Sequence, residues 1–157
     1  MTIDSYFASL PDGFASVEQM RELLPAPVQK VAFVGVAGTA GKTAVAALLA
    51  ATLHAQGIRT GLYHAGCEPL AKRIRIDGAP VDEGLLGLTA EALSAAEPLP
   101  RDAAELTAAA RCFGEAGCTL AVVELPDAGL AEALPEMPVC AVTAVGPDGV
   151  SRSVERL

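Results

Sequence analysis

Gly41-Lys42-Thr43 closes a run of small residues, Gly35-Val36-Ala37-Gly38-Thr39-Ala40, and this stretch carries the plainest chemistry in the chain. It lies between an apolar run, Val31-Ala32-Phe33-Val34, and an alanine-rich segment with helical periodicity. A glycine-rich turn from strand to helix aims several backbone N–H groups at one point, on the positive end of the helix dipole. That geometry suits a phosphate chain. Lys42 adds a mobile positive charge, and Thr43 stands where such loops keep a hydroxyl for Mg²⁺. The dipole disfavours an unpaired cation at a helix start, and a bound phosphate resolves that conflict. The strict pattern has glycine six residues before the lysine, whereas Val36 stands there. Glu124 is the second candidate, because it ends the β-branched run from Thr119 at the carboxyl edge of a strand, where open α/β sheets bind ligands.

Other reactive side chains read as ordinary. Asp148 lies in Gly146-Pro-Asp-Gly149, a common turn composition. His64 is a lone histidine at a strand end and makes a poor metal ligand set by itself. Arg73 and Arg75 alternate along an expected strand and read as solvated charges sharing one face of an edge. The four cysteines, Cys67, Cys112, Cys118 and Cys140, contain no Cys-x-x-Cys pair, and the last three sit in or beside apolar patterns as small buried hydrophobes. Cys67, in a Gly-Cys-Glu-Pro loop, is the one expected to be exposed.

The elements that must position these residues follow from hydrophobic periodicity and breakers. A polar start precedes a short amphipathic helix over Val17–Leu24, stopped by Pro25 and Pro27. Lys30–Gly35 reads as a buried strand, Gly41–Gln56 as a helix ended by Gly57, and Arg59–His64 as a second strand parallel to the first. Arg73–Ile76 and Pro80–Val81 flank Asp77-Gly78, a hairpin signal. Thr89 is the expected N-cap of a helix over Ala90–Ala96. Arg101–Glu115 is helical, Thr119–Leu125 is a strand, Asp127–Leu134 a short helix, and Val139–Val145 a last strand. Strands alternating with helices imply an α/β three-layer domain with a mostly parallel sheet.

The bulk numbers agree with that class. At 157 residues, 52% hydrophobic and 19% charged, the chain reads as one compact domain over 1–157 with a lead-in helix in 1–29. A formal charge of −8 argues against a nucleic-acid or anionic-membrane surface, and it makes any phosphate site depend on local geometry. No apolar run is long enough to span a membrane, and Met1–Tyr6 lacks the features of a signal peptide, so the expected compartment is the cytoplasm.

With these elements placed, the order of motifs resembles the N-terminal ATP-binding domain of folylpolyglutamate synthases, within the Mur ligase superfamily. Gly38-Thr39-Ala40-Gly41-Lys42-Thr43 is similar to that family's Gly-Thr-Asn-Gly-Lys loop, a shorter form without the first glycine. Gly13, Met20–Leu24 and Pro25-Ala-Pro27 resemble its lead-in. Gly61-Leu62-Tyr63, Lys72-Arg73-Ile74 and Ile76-Asp77-Gly78 resemble its second strand and hairpin, Leu106–Phe113 the helix before its third strand, and Val145-Gly-Pro-Asp148 its Ile-Gly-Leu-Asp-His. Val122-Val123-Glu124 resembles a strand end whose glutamate helps to hold Mg²⁺. The resemblance therefore implies an ATP-dependent carboxylate–amine ligase working through an acyl phosphate. Gly38, Thr39, Ala40, Gly41, Lys42 and Thr43 would bind the nucleotide, Lys42 would also act in catalysis, and Thr43 with Glu124 would hold Mg²⁺. Several positions depart from the pattern. Ala40 replaces an asparagine, Ala44 a hydroxyl residue, Ala65-Gly-Cys-Glu-Pro69 a Ser-Pro-His loop, Pro126-Asp-Ala-Gly-Leu a glycine-rich stretch, and Gly149 a histidine. The family's later C-terminal ligase domain has no counterpart in the sequence, so a separate C-terminal ligase domain or a homo-oligomer is the expected partner beyond the nucleotide. The alternative expectation is a non-catalytic interaction domain that kept this fold. A small P-loop kinase or synthetase is a third option, disfavoured by the ligase-like hairpin.

Overall fold

The computed structural model describes residues 2–144. The expected turn at Gly146–Gly149 therefore lies outside the described residues, and the last strand, expected over Val139–Val145, ends at Val142. The chain opens with α1 (Ile3–Ser9) and α2 (Val17–Glu22), whose N-termini are capped by the hydroxyls of Thr2 and Ser16. A 3₁₀ turn over Ala26–Lys30 leads into β1 (Ala32–Ala37), then α3 (Lys42–Ala55) and β2 (Thr60–Tyr63). The short α4 (Leu70–Arg73) precedes a hairpin of β3 (Ile74–Ile76) and β4 (Ala79–Pro80). Next come α5 (Glu83–Ser94), α6 (Arg101–Glu115), β5 (Leu120–Glu124), a 3₁₀ stretch over Ala128–Ala133 and β6 (Val139–Val142).

The six strands form one mixed sheet in the order β4-β3-β2-β5-β1-β6. β1 runs parallel to β5 and β6, and β2 parallel to β5; the hairpin strands are antiparallel. Asp77 and Gly78 both have positive φ (51° and 81°), the backbone a two-residue hairpin turn needs to match strand twist. The expected α/β domain with a mostly parallel sheet is thus the observed one.

The two faces of the sheet are covered unequally. One face packs on α1, α2, α5 and α6 through a large core that includes Phe33, Tyr63, Leu86, Leu106 and Phe113. Among the described residues the other carries α3 alone, through Val36, Ala46, Ala50, Leu62 and Val122. α6 lies so close to β2 that a Cβ on Gly61 would sit 2.5 Å from Cδ1 and 2.7 Å from Cγ of the buried Phe113. Gly61→Ala should accordingly cost about 1–3 kcal/mol through overpacking, read as a lower midpoint in urea with an unchanged slope. An unchanged midpoint would mean that the helix can retreat from the sheet at no cost.

Two expectations need correction. The helix expected over Ala90–Ala96 begins seven residues earlier, at Glu83, and Asp82 caps it by accepting the Leu85 N–H at 3.0 Å. Thr89 is buried inside it and donates back to the Leu85 carbonyl at 3.0 Å. Gly84 and Gly87 weaken the local helical signal, but burying Leu86, Ala90 and Leu93 on one face outweighs them. The polar start also contains α1, which docks through the buried Phe7.

Candidate functional site at the β1–α3 loop

β1 ends at Ala37 and the chain turns through Gly38–Gly41 into α3. Gly38 (φ +133°) and Gly41 (φ +80°) take backbone conformations that side chains disfavour. At Gly38 a Cβ would also collide with Thr143 Oγ1 at 2.5 Å and the Ala144 carbonyl at 2.9 Å. The two residues just past β6 therefore form the outer wall of the loop. Thr39 donates to the Ala144 carbonyl through its amide (2.7 Å) and its hydroxyl (3.0 Å), and the Thr143 amide donates to the Ala37 carbonyl (3.0 Å). The Thr143 hydroxyl reaches the Ala40 carbonyl.

α3 starts without a side-chain cap. Its first amides lack intrahelical acceptors and lie at the positive end of the dipole. Lys42, at the first helical position, folds back so that Nζ donates to the Gly38 carbonyl at 2.8 Å. Thr43 donates from Oγ1 to Glu124 Oε2 at 3.0 Å, and the Ala65 amide donates to the same oxygen at 3.1 Å. Glu124 Oε1 lies 4.0 Å from Lys42 Nζ. Glu124 is only 4% exposed, at the carboxyl end of the central strand β5. The structure thus brings Lys42, Thr43 and Glu124 to one point, beneath the loop formed by Gly38, Thr39, Ala40 and Gly41. The donor set also fits a small hard cation: a carboxylate and a hydroxyl, both oxygens, within hydrogen-bond reach of each other.

No protein-family model and no curated protein sequence matches the chain. Solved structures do match. E. coli FolC in complex with DHPP and ADP is 22% identical with a TM-score of 0.78, over 93% of this chain and 38% of that one. An FPGS–AMPPCP–folate complex is 22% identical, TM-score 0.78, over 95% and 42%. The Mycobacterium tuberculosis folylpolyglutamate synthase complexed with ADP is 26% identical, TM-score 0.68, over 80% and 31%. The fold is that of the folylpolyglutamate synthase nucleotide-binding domain. The chain spans between about a third and two fifths of the length of these structures.

On this folylpolyglutamate synthase fold, the segment after β2 places Arg73 where its spacing from Arg75 does not predict it. Arg73 is the last residue of α4, so it does not alternate with Arg75 along a strand. It is buried, and its two Nη groups donate to the two carboxylate oxygens of Glu105 on α6, each at 2.7 Å. Its Nε donates to the Glu68 carbonyl at 2.9 Å, which pins the 65–69 loop to the core. The Tyr63 hydroxyl completes the cluster by donating to Glu105 Oε2 at 3.0 Å. Burial, followed by the Glu105 carboxylate, pushes the Tyr63 pKa well above its ordinary value. Burial works against the charge on Arg73, but the Glu105 hydrogen bonds and charge more than offset it and leave its pKa raised. Arg73 and Glu105 lie 32 positions apart, and nothing local in either segment signals the pair.

The remaining candidates have simpler placements. His64 is half-buried, with Nδ1 3.1 Å from the Ala65 carbonyl. Among the described residues no group of three or more His, Cys, Asp or Glu could hold a metal ion. All four cysteines are free, and only Cys67 is exposed. Burial raises the thiol pKa of Cys112 and of Cys118 to about 11. A thiol reagent at pH 8 should therefore label Cys67 quickly and leave Cys112 and Cys118 unmodified until the protein unfolds, as peptide mapping would show. Fast labelling of Cys112 would contradict the packing of α6. No helix among the described residues is long and apolar enough to cross a membrane.

Proposed function

We propose that this chain is the ATP-binding part of a folylpolyglutamate synthase-like, ATP-dependent carboxylate–amine ligase. The observation that carries this reading is the buried Glu124 carboxylate, held by the Thr43 hydroxyl and set 4.0 Å from Lys42 at an uncapped helix start. The backbone N–H groups of Gly38, Thr39, Ala40, Gly41 and Lys42 would face the β- and γ-phosphates. Lys42 would leave the Gly38 carbonyl to neutralise charge on the transferring phosphoryl group. Thr43 and Glu124 would hold Mg²⁺, which supplies charge neutralisation between the phosphates when bound. Support also comes from the FolC, FPGS and M. tuberculosis structures, which were solved with ADP or AMPPCP. In the reaction of that class, a substrate carboxylate oxygen attacks the γ-phosphorus and ADP leaves. An amine nitrogen then attacks the acyl carbon and phosphate leaves. This chain's residues serve the first of these steps, and the acceptor site would come from a C-terminal ligase domain or a partner copy.

Calorimetric titration of ATP into the purified chain, with Mg²⁺ and again with EDTA, tests the proposal. Binding in the micromolar range (about −8 kcal/mol) that weakens without Mg²⁺ is the expected result. No heat and no thermal shift at millimolar nucleotide would overturn it, and would favour a domain that kept the fold for interaction alone.

A further inference from the structure

The face of the sheet that carries only α3 leaves a cleft of about 430 Å³ between that helix and the β2–β3 hairpin. Its floor follows from strand alternation. Thr60 and Leu62 project from β2 toward the α3 side, His64 follows just past the strand, and Arg75 stands opposite Leu62 in the antiparallel register, so it shares that face. The helix supplies the other wall through Ala47 and Ala51, both exposed and one turn apart. Thr43 closes the end nearest the phosphate loop, and His54 and Gly78 close the far end.

The electrostatics are one-sided. The chain as a whole carries −8, yet none of the described residues lining this cleft is acidic. Two carboxylates border it and both are committed: Glu124 accepts from Thr43 at 3.0 Å and from the Ala65 amide at 3.1 Å, and Asp77 is held at the other end. Oδ2 accepts from Arg59 at 3.0 Å, and Oδ1 accepts from the Thr60 amide at 2.8 Å and lies 3.3 Å from His54 Nδ1. Arg75 uses Nη1 on the Gly78 carbonyl at 3.0 Å and keeps its other donors for a ligand. An apolar trough with one guanidinium on its wall matches the usual design of a small-molecule site, in both volume and lining. We propose that this cleft is a second ligand site, distinct from the phosphate loop, for a flat apolar molecule bearing a single anionic group. The apolar body lies along Ala47, Ala51 and Leu62, and the anion meets Arg75. Because Thr43 belongs to both sites, a ligand here would border the nucleotide without overlapping the loop.

The probe is 2-naphthoate, followed by its fluorescence in a chain that contains no Trp. The expected result is one site per chain with a dissociation constant of about 0.1 mM. Binding should weaken about tenfold in Arg75→Gln, as expected for losing a charge-assisted hydrogen bond, and should vanish in Ala51→Phe, which fills the trough from an exposed position. The neutral 2-naphthalenemethanol should bind about tenfold more weakly than naphthoate for the same reason. Lys42→Ala should leave naphthoate binding unchanged, so a failed nucleotide site and a failed cleft give different patterns. Equal affinity of the neutral and anionic probes, or unchanged binding in Arg75→Gln or Ala51→Phe with native thermal midpoints, would overturn the proposal. A dimer in sedimentation that dissociates on Ala51→Phe would overturn it too, by assigning the cleft to a second copy of the chain.

Discussion

Arg73→Met should unfold at a temperature roughly 6–20 °C below the parent. The physical cause is the carboxylate left behind. Glu105 is 7% exposed and in the native cluster receives two guanidinium hydrogen bonds at 2.7 Å and one from Tyr63 at 3.0 Å. Removing one partner of such a pair typically costs about 3–5 kcal/mol, which for a chain of this size is about 2–4 °C per kcal/mol. Arg73→Lys should restore little, because one ammonium cannot make the bidentate contact. The combination Arg73→Met, Glu105→Leu, Tyr63→Phe should recover most of the loss, because well-packed apolar groups replace buried ion pairs at little or no cost. Melting curves of the three variants, monitored by circular dichroism, check this. If the triple variant is as weak as Arg73→Met, the loss comes from misplaced loop packing instead.

The second large effect concerns ligand binding. Lys42→Ala should weaken Mg-ATP by about 30- to 150-fold, equivalent to about 2–3 kcal/mol for a charge-assisted contact to phosphate. The same change should leave the nucleotide-free chain within about 0.5 kcal/mol of its parent. Lys42 sits at a helix start, where the dipole opposes a cation, and its contacts are one hydrogen bond to the Gly38 carbonyl at 2.8 Å and a 4.0 Å ion pair with Glu124, which keeps the Thr43 and Ala65 hydrogen bonds. Losing those contacts and removing that repulsion work in opposite directions. Calorimetry for binding and scanning calorimetry for stability separate the two quantities. A variant that binds Mg-ATP as well as the parent would leave the loop amides as the whole of the site and would remove the lysine from the proposed chemistry.

How much of this could be read from the sequence depends on whether the cause was local. The loop from Gly38 to Thr43 is local, because glycine positions, a lysine and a hydroxyl within six residues specify a strand–turn–helix by themselves. Glu124 was legible from 81 positions away, because the carboxyl edge of a parallel sheet is a general place for ligands. α6 was legible to the residue, since a long amphipathic run leaves little freedom. By contrast, α5 hid its first turns behind Gly84 and Gly87, and only the packing of Leu86 reveals them. Arg73 carried a misleading signal: spacing two from Arg75 is a strand's period, and a single turn of helix at Leu70–Arg73 rotates the side chain into the core instead. The Arg73–Glu105 pair and the Thr143 wall depend on which surfaces meet in space, and periodicity holds no record of that.

The wall has a consequence for anyone dividing this protein into pieces. Thr143 and Ala144 close the phosphate loop from 103 and 105 positions downstream. A fragment ending before Thr143 would keep every residue of the glycine-rich signature and still lose the scaffold that shapes it. The motif is contiguous in writing but discontinuous as an object, and the two residues after the last strand are as much a part of it as the lysine.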